Sequence, residues 1–236
     1  IILLLIASFS YSAGSLTGTV TYTNKVPKPK AMKLDADPAC GAAHKGAVYD
    51  QKFIVKDTKV KNVMVWLKAE GLKSETPKES VVLDQIKCLY DPHVFGIVKD
   101  QNLLIKNSDP VLHNIHSMAN DNSQFNFAMP AALKEKNTSF NKAEEPFYIK
   151  CDVHPWMKTW VGVFDHTYFS VTDENGQYSI KDIPPGTYEV FFWQERLSNL
   201  SAKKYKQVSH MKTITITDGK SKILNYEFPK PEKIKK

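Results

Sequence analysis

The sequence predicts an all-β protein built from sandwiches, and three observations carry that reading. Its readable segments are rich in β-branched and aromatic residues with a period of two. Turn signals such as Asn175-Gly176 and Pro184-Pro185-Gly186 separate them, and no long amphipathic helix is evident. At 236 residues, with 42% hydrophobic and 11% aromatic content, the chain is long enough for one large or two small domains with real cores, and it is not disordered.

Taken in order, residues 1 to 9 form an apolar run too short to span a bilayer, followed by Ser10-Tyr11-Ser12-Ala13, whose small residues suit a signal-peptidase site. Residues 1–13 are therefore expected to be a signal-peptide remnant, with no stable transmembrane segment after cleavage; a retained anchor or a packed N-terminal strand are the alternatives. Strands are expected at Leu16-Thr17-Gly18-Thr19-Val20-Thr21-Tyr22 and Val63-Met64-Val65-Trp66-Leu67, then at Leu103-Leu104-Ile105, Tyr188-Glu189-Val190-Phe191-Phe192-Trp193 and Thr213-Ile214-Thr215-Ile216. Short turns are expected near Ala131 to Glu135 and Gln194 to Ser201. Asn175-Gly176 supplies the positive φ of a tight hairpin, and Pro184-Pro185-Gly186 forces the next reversal. Residues 231–236 read as a solvated basic tail.

The segment that carries chemistry is Cys151-Asp152-Val153-His154-Pro155-Trp156-Met157, which places a thiolate, an imidazole and a thioether on one short loop between strands. A second imidazole, His113, follows the strand Leu103-Leu104-Ile105 and the polar turn Asn107-Ser108-Asp109-Pro110. Soft sulfur with two imidazoles favours copper, and His2Cys with a weak axial Met is an electron-transfer geometry. Individually, a buried thiol, a satisfied histidine and a core methionine are common; their joint spacing is not. Zinc also binds Cys and His, and a Met ligand argues against it. His116 could replace His113 if the strand turns or bulges there, since the two otherwise point to opposite faces.

These residues resemble the cupredoxin family. The ligand loop has amicyanin-type spacing, His113-Asn114-Ile115 is similar to the plastocyanin triplet, and the stretch from Tyr90-Asp91-Pro92 to Asn107 follows the family's aromatic-x-Pro strand, turn and Asn-ended strand. The resemblance makes His113, Cys151, His154 and Met157 the ligands of one mononuclear copper. It makes Asn114 the brace behind them and leaves the His154 ring edge exposed within a rim of Pro155 and Trp156, where a partner would dock. A binuclear centre would need a Cys where Phe147 stands, and a multicopper oxidase two His where Lys150 and Asp152 stand.

The C-terminal segments resemble the carboxypeptidase regulatory-like, transthyretin-type sandwich, and Gly18-Thr19-Val20-Thr21 matches that family's opening strand. The expected architecture is a cupredoxin Greek-key sandwich, residues 78–166, inserted in or fused to a transthyretin/Ig-like sandwich of residues 14–77 plus 167–230; simple tandem order is the alternative.

With Cys151 assigned to the metal, Cys40 and Cys88 are left to form a disulfide in an oxidising compartment, or, with His44 and His93 nearby, a second metal site. His44, His93, His166 and His210 have no convergent partners in sequence, so solvent-facing or core-satisfied roles are the default. The net charge of +7, with denser Lys at 25–33 and 230–236, could steer docking to an acidic redox partner. No stacking motif or basic helix makes nucleic acid a partner.

The expected function is a periplasmic or secreted electron carrier exchanging single electrons with a redox protein, a cytochrome or an oxidoreductase. The alternative is a non-catalytic assembly subunit of a larger oxidoreductase complex, its metal site structural or empty. An enzyme is not expected, because no Ser-His-Asp elbow, phosphate loop, paired carboxylates or adjacent His cluster is present.

Overall fold

A computed structural model of the protein describes residues 12–206 and 208–234; the apolar run 1–9 and the last two residues of the tail lie outside the described residues. Among the described residues the regular elements are nearly all strands, arranged in four sheets. In the first pair of sheets, the strand Gly14–Thr21 runs antiparallel to Gln177–Ile183, with Leu16 opposite Ile180, and parallel to Ser221–Ile223 and Tyr226–Glu227. The facing sheet has the order Phe169–Val171, Val63–Lys68, Gly186–Gln194, Met211–Ile216. Leu16, Val20, Val65, Val190, Phe192 and Ile214 fill the space between them.

Strands between residues 81 and 164 build the other two sheets. One has the order Asn126–Met129, His113–Ser117, Glu144–Lys150, Lys158–Phe164, Val94–Val98; the other runs Glu135–Thr138, Leu103–Asn107, Val81–Ile86, Leu89–Asp91. Leu83, Ile97, Ile105, Ile115, Ile149 and Val161 pack between them.

The two sandwiches share a third apolar cluster of Met64, Trp66, Val94, Trp160, Phe164 and Trp193. This corrects the alternating pattern expected for Val63–Leu67. Every one of those residues is buried, because Val63, Val65 and Leu67 face their own core while Met64 and Trp66 face the other sandwich. Lys158–Phe164 is its counterpart, with Val161 and Val163 inward and Trp160 and Phe164 outward. Close approach there depends on Gly96 and Gly162, which stand opposite each other in the parallel pair of strands. A Cβ on Gly96 would lie 2.5 Å from the Phe169 ring, and one on Gly162 2.6 Å from Met64 Sδ.

A second departure concerns residues 30–50, expected to belong with the first sandwich. Met32, Leu34, Cys40 and Val48 pack instead into the core of the second. Two local features hold them there. Asp37 caps the short helix Pro38–Ala42, its Oδ1 accepting from Ala39 N at 2.9 Å with Pro38 in the first turn, and Cys40 is joined by a disulfide to Cys88. The short turn expected within Gln194 to Ser201 forms as a single helical turn, Glu195–Ser198, capped by the Gln194 side chain.

Candidate metal centre

His113, Cys151 and His154 converge beneath one end of the second sandwich: one donor atom from each lies within 4.8 Å of the others, and all three residues are buried. His113 opens the strand His113–Ser117, whereas Cys151 directly follows Glu144–Lys150 and begins the loop to Lys158–Phe164. That loop closes on itself. Met157 N–H donates to His154 O at 2.9 Å, Cys151 N–H donates to Met157 O at 3.2 Å, and His154 N–H points at the Cys151 sulfur at 3.3 Å.

Asn114 ties the loop to the neighbouring strand. Its Oδ1 accepts from Asp152 N at 2.6 Å and Val153 N at 3.4 Å, and its Nδ2 donates to Asn126 Oδ1 at 2.8 Å. Met157 is wholly buried in the core below the loop. His116 lies apart from the cluster, hydrogen-bonded through Nδ1 to Asp152 Oδ2 at 2.8 Å.

The two imidazoles present Nδ1 to Nδ1 at 2.9 Å, and the Cys151 sulfur is 3.8 Å from the His154 Nδ1. The opposite nitrogens face carboxylates: His113 Nε2 is 2.9 Å from Asp109 Oδ2, and His154 Nε2 is 3.2 Å from Asp37 Oδ2. A carboxylate that accepts from Nε2–H leaves the Nδ1 lone pair as the inward-facing group, so two lone pairs and a sulfur aim at one point. Such separations suit donors sharing an ion at about 2.0 Å to nitrogen and about 2.3 Å to sulfur. The donor set therefore fits a soft or borderline metal.

Electrostatics agree with that fit. Burial pushes the Cys151 thiol up, but the His113 ring and the backbone N–H groups of Asn114, His154 and Val153 outweigh it and hold the thiol below its ordinary range. Burial pushes the His113 imidazole down, while Asp109 and Cys151 pull it further the other way, to about 8 in the metal-free chain.

Asp109 and Asp37 were not singled out in the sequence. Asp109 also accepts from the backbone N–H groups of Lys87 and Cys88, at 2.6 and 2.7 Å. Both residues have positive φ, 52° and 54°, in the hairpin between Val81–Ile86 and Leu89–Asp91. One carboxylate thus orients His113 and supports two consecutive left-handed residues, the second of them a disulfide cysteine. Its place four residues before His113 was the available clue. Asp37 had none, being 117 positions from His154.

The exposed His154 edge expected from the resemblance is not found. The residue is only 2% exposed, because Asp37 and the segment pinned by the Cys40–Cys88 disulfide lie across it. Pro155 remains exposed. Trp156 is half-buried, with its ring centroid 5.1 Å from that of His154 and its Nε1 donating to Cys88 O at 3.0 Å. The other histidines are satisfied individually: His44 by Lys87 O, His93 by Glu195, His166 by the Tyr168 N–H and His210 by Tyr226.

No protein-family model and no curated protein matches the chain. Similar solved structures include the copper-containing nitrite reductase NirK from Thermus scotoductus SA-01, at 18% identity over 41% of this chain and TM-score 0.34; this chain spans a quarter (25%) of the length of that reductase. They also include amicyanin. One reduced mutant is similar at 19% identity, covering 42% of this chain and 97% of that chain with TM-score 0.33, and a Cu(I) mutant at 20%, covering 36% and 81% with TM-score 0.32.

Proposed function

We propose that this chain is an exported mononuclear copper protein that carries single electrons to or from a redox protein. The observation that carries the reading is the convergence of the His113 and His154 Nδ1 lone pairs and the Cys151 sulfur on one buried point, each imidazole backed by a carboxylate. Copper bound by such a set supplies a one-electron couple whose potential depends on the axial ligand, on hydrogen bonding to the sulfur and on the apolar shell.

The chain's own residues account for the rest. His113 and His154 hold the nitrogens and Cys151 the thiolate. Met157, buried in the core beneath the loop, would offer its thioether to the same ion. Asn114 fixes the loop so that the donors need not rearrange when the charge changes, and the apolar core excludes water. The Cys40–Cys88 disulfide supports assembly in an oxidising compartment, periplasmic or extracellular. No helix among the described residues is long and apolar enough to cross a membrane.

The test is loading with copper under anaerobic conditions, then reoxidation, with absorption, electron paramagnetic resonance and a metal assay. One copper per chain with a strong copper-thiolate band is expected, and Cys151→Ser should lose the band. A colourless protein that ignores copper sinks the reading and leaves the second one, an assembly subunit with a structural or empty site, which the depth of His154 favours.

A further inference from the structure

The cover over His154 raises a question of access. An electron entering or leaving a buried centre must cross the groups packed against its ligands, and the His154 edge is closed by Asp37, a negative group that disfavours contact with an acidic partner. Besides the second imidazole, His113, the ring against His154 is Trp156, centroid to centroid 5.1 Å, its plane fixed by the Nε1–H bond to Cys88 O. Trp156 lines a cavity of about 240 Å³ that opens beside the ligand loop, with Lys30, Lys52 and Lys158 in its wall. His93 and Glu195 share the floor and satisfy each other at 2.7 Å. Lys28 and Arg196 line the adjoining groove together with Lys30 and Lys52. The wall thus carries Lys28, Lys30, Lys52, Lys158 and Arg196 against Asp50 and the already paired Glu195.

We infer that Trp156 and this lysine-lined cavity form the electron port of the protein, the place where a redox protein with a carboxylate-rich face docks; the inference rests on the copper reading above. Trp156 joins the port to the centre by ring contact with His154, while the lysines supply attraction that steers encounter and weakens as salt screens it. The cavity has room for a side chain or two of the partner, so docking combines an apolar contact on the indole with charge complementarity around it.

The experiment uses the copper-loaded full chain in its reduced form, oxidised in a stopped-flow instrument by hexacyanoferrate(III), which stands in for the negative face of the partner. Lys30→Glu with Lys52→Glu is compared with a control pair on the other sandwich, Lys220→Glu with Lys222→Glu, both exposed residues. At low ionic strength the port pair should slow oxidation about tenfold and flatten its salt dependence, with the control pair nearly unchanged. Trp156→Phe should slow it further with the visible band retained.

A readout without metal comes from iodide quenching of tryptophan fluorescence in the copper-free chain. Trp66, Trp160 and Trp193 are each only 8% exposed, so the quenchable signal should belong to Trp156, vanish in Trp156→Phe and weaken in Lys30→Glu/Lys52→Glu. Equal hexacyanoferrate rates in the port and control pairs, or iodide quenching that survives Trp156→Phe, overturn the port while leaving the copper reading intact. A chain that takes up no copper and shows no band overturns the carrier reading and the port with it.

Discussion

The Nδ1 atoms of His113 and His154 face each other at 2.9 Å, although the residues are 41 positions apart and each ring turns its second nitrogen to a carboxylate. Two imidazoles held lone pair to lone pair repel unless a proton or a cation sits between them. In the metal-free chain that proton belongs to His113, whose imidazole Asp109 and Cys151 raise to about 8, and Asp109 and Asp37 fix the two rings in this facing arrangement as much as the donors do.

Asp109→Asn should lower metal affinity by about ten- to a hundredfold, the usual cost of losing a carboxylate behind a ligand imidazole. The same change removes an acceptor from the Lys87–Cys88 turn and should destabilise the metal-free chain by about 1–3 kcal/mol. Chelator competition reads the first effect and urea unfolding the second. Affinity unchanged within twofold would remove Asp109 from the centre.

Gly96→Ala should destabilise the chain by about 1–3 kcal/mol through overpacking, because the added methyl meets the Phe169 ring at 2.5 Å where the two sandwiches touch. Combining it with Phe169→Leu should recover most of the loss. A double variant no more stable than Gly96→Ala alone would show that Phe169 is not the obstruction.

Replacing Cys40 and Cys88 with Ala removes a cross-link spanning 48 residues and should cost about 2–4 kcal/mol. Because that bond pins the segment carrying Asp37 across His154, copper should also pass to a chelator faster than from the parent chain. Equal release rates would mean that the Asp37 contact and the packing of Leu34 hold the cover without the disulfide.

Acid should weaken the fold through His166. Burial holds its imidazole below the ordinary value of 6.5, against the upward pull of Asp165. The unfolded chain therefore takes up the proton first, and stability present above pH 6.5 is lost as pH falls below it. His113 works in the other direction in the metal-free chain: its contribution is complete below 6.5 and is lost as pH rises through about 8. Because His113 gains stability as pH falls toward 6.5, where the loss through His166 is only beginning, urea titrations of the metal-free chain at pH 7, 6 and 5 should show the midpoint falling chiefly between pH 6 and 5, and His166→Gln should flatten that fall. An identical slope in the variant would assign it elsewhere.

The all-β class and the loop that brings Cys151 and His154 together were legible in the sequence because both are local. A strand shows itself in its residue types, and Cys151, His154 and Met157 lie on one loop that hydrogen-bonds to itself. Long-range contacts were not legible. Asp37 reaches His154 across 117 positions, Trp156 Nε1 reaches Cys88 O across 68, and neither leaves a periodic trace. Val63–Lys68 read as an alternating strand because its second buried face depends on a sandwich that packs against it only after folding. The sequence by itself determined which atoms can bind a metal and roughly where the strands run. Only the tertiary structure decided that the His154 edge is closed, that two carboxylates aim the imidazoles and that Trp156 faces a basic cavity, since each depends on side chains that meet only when distant segments pack.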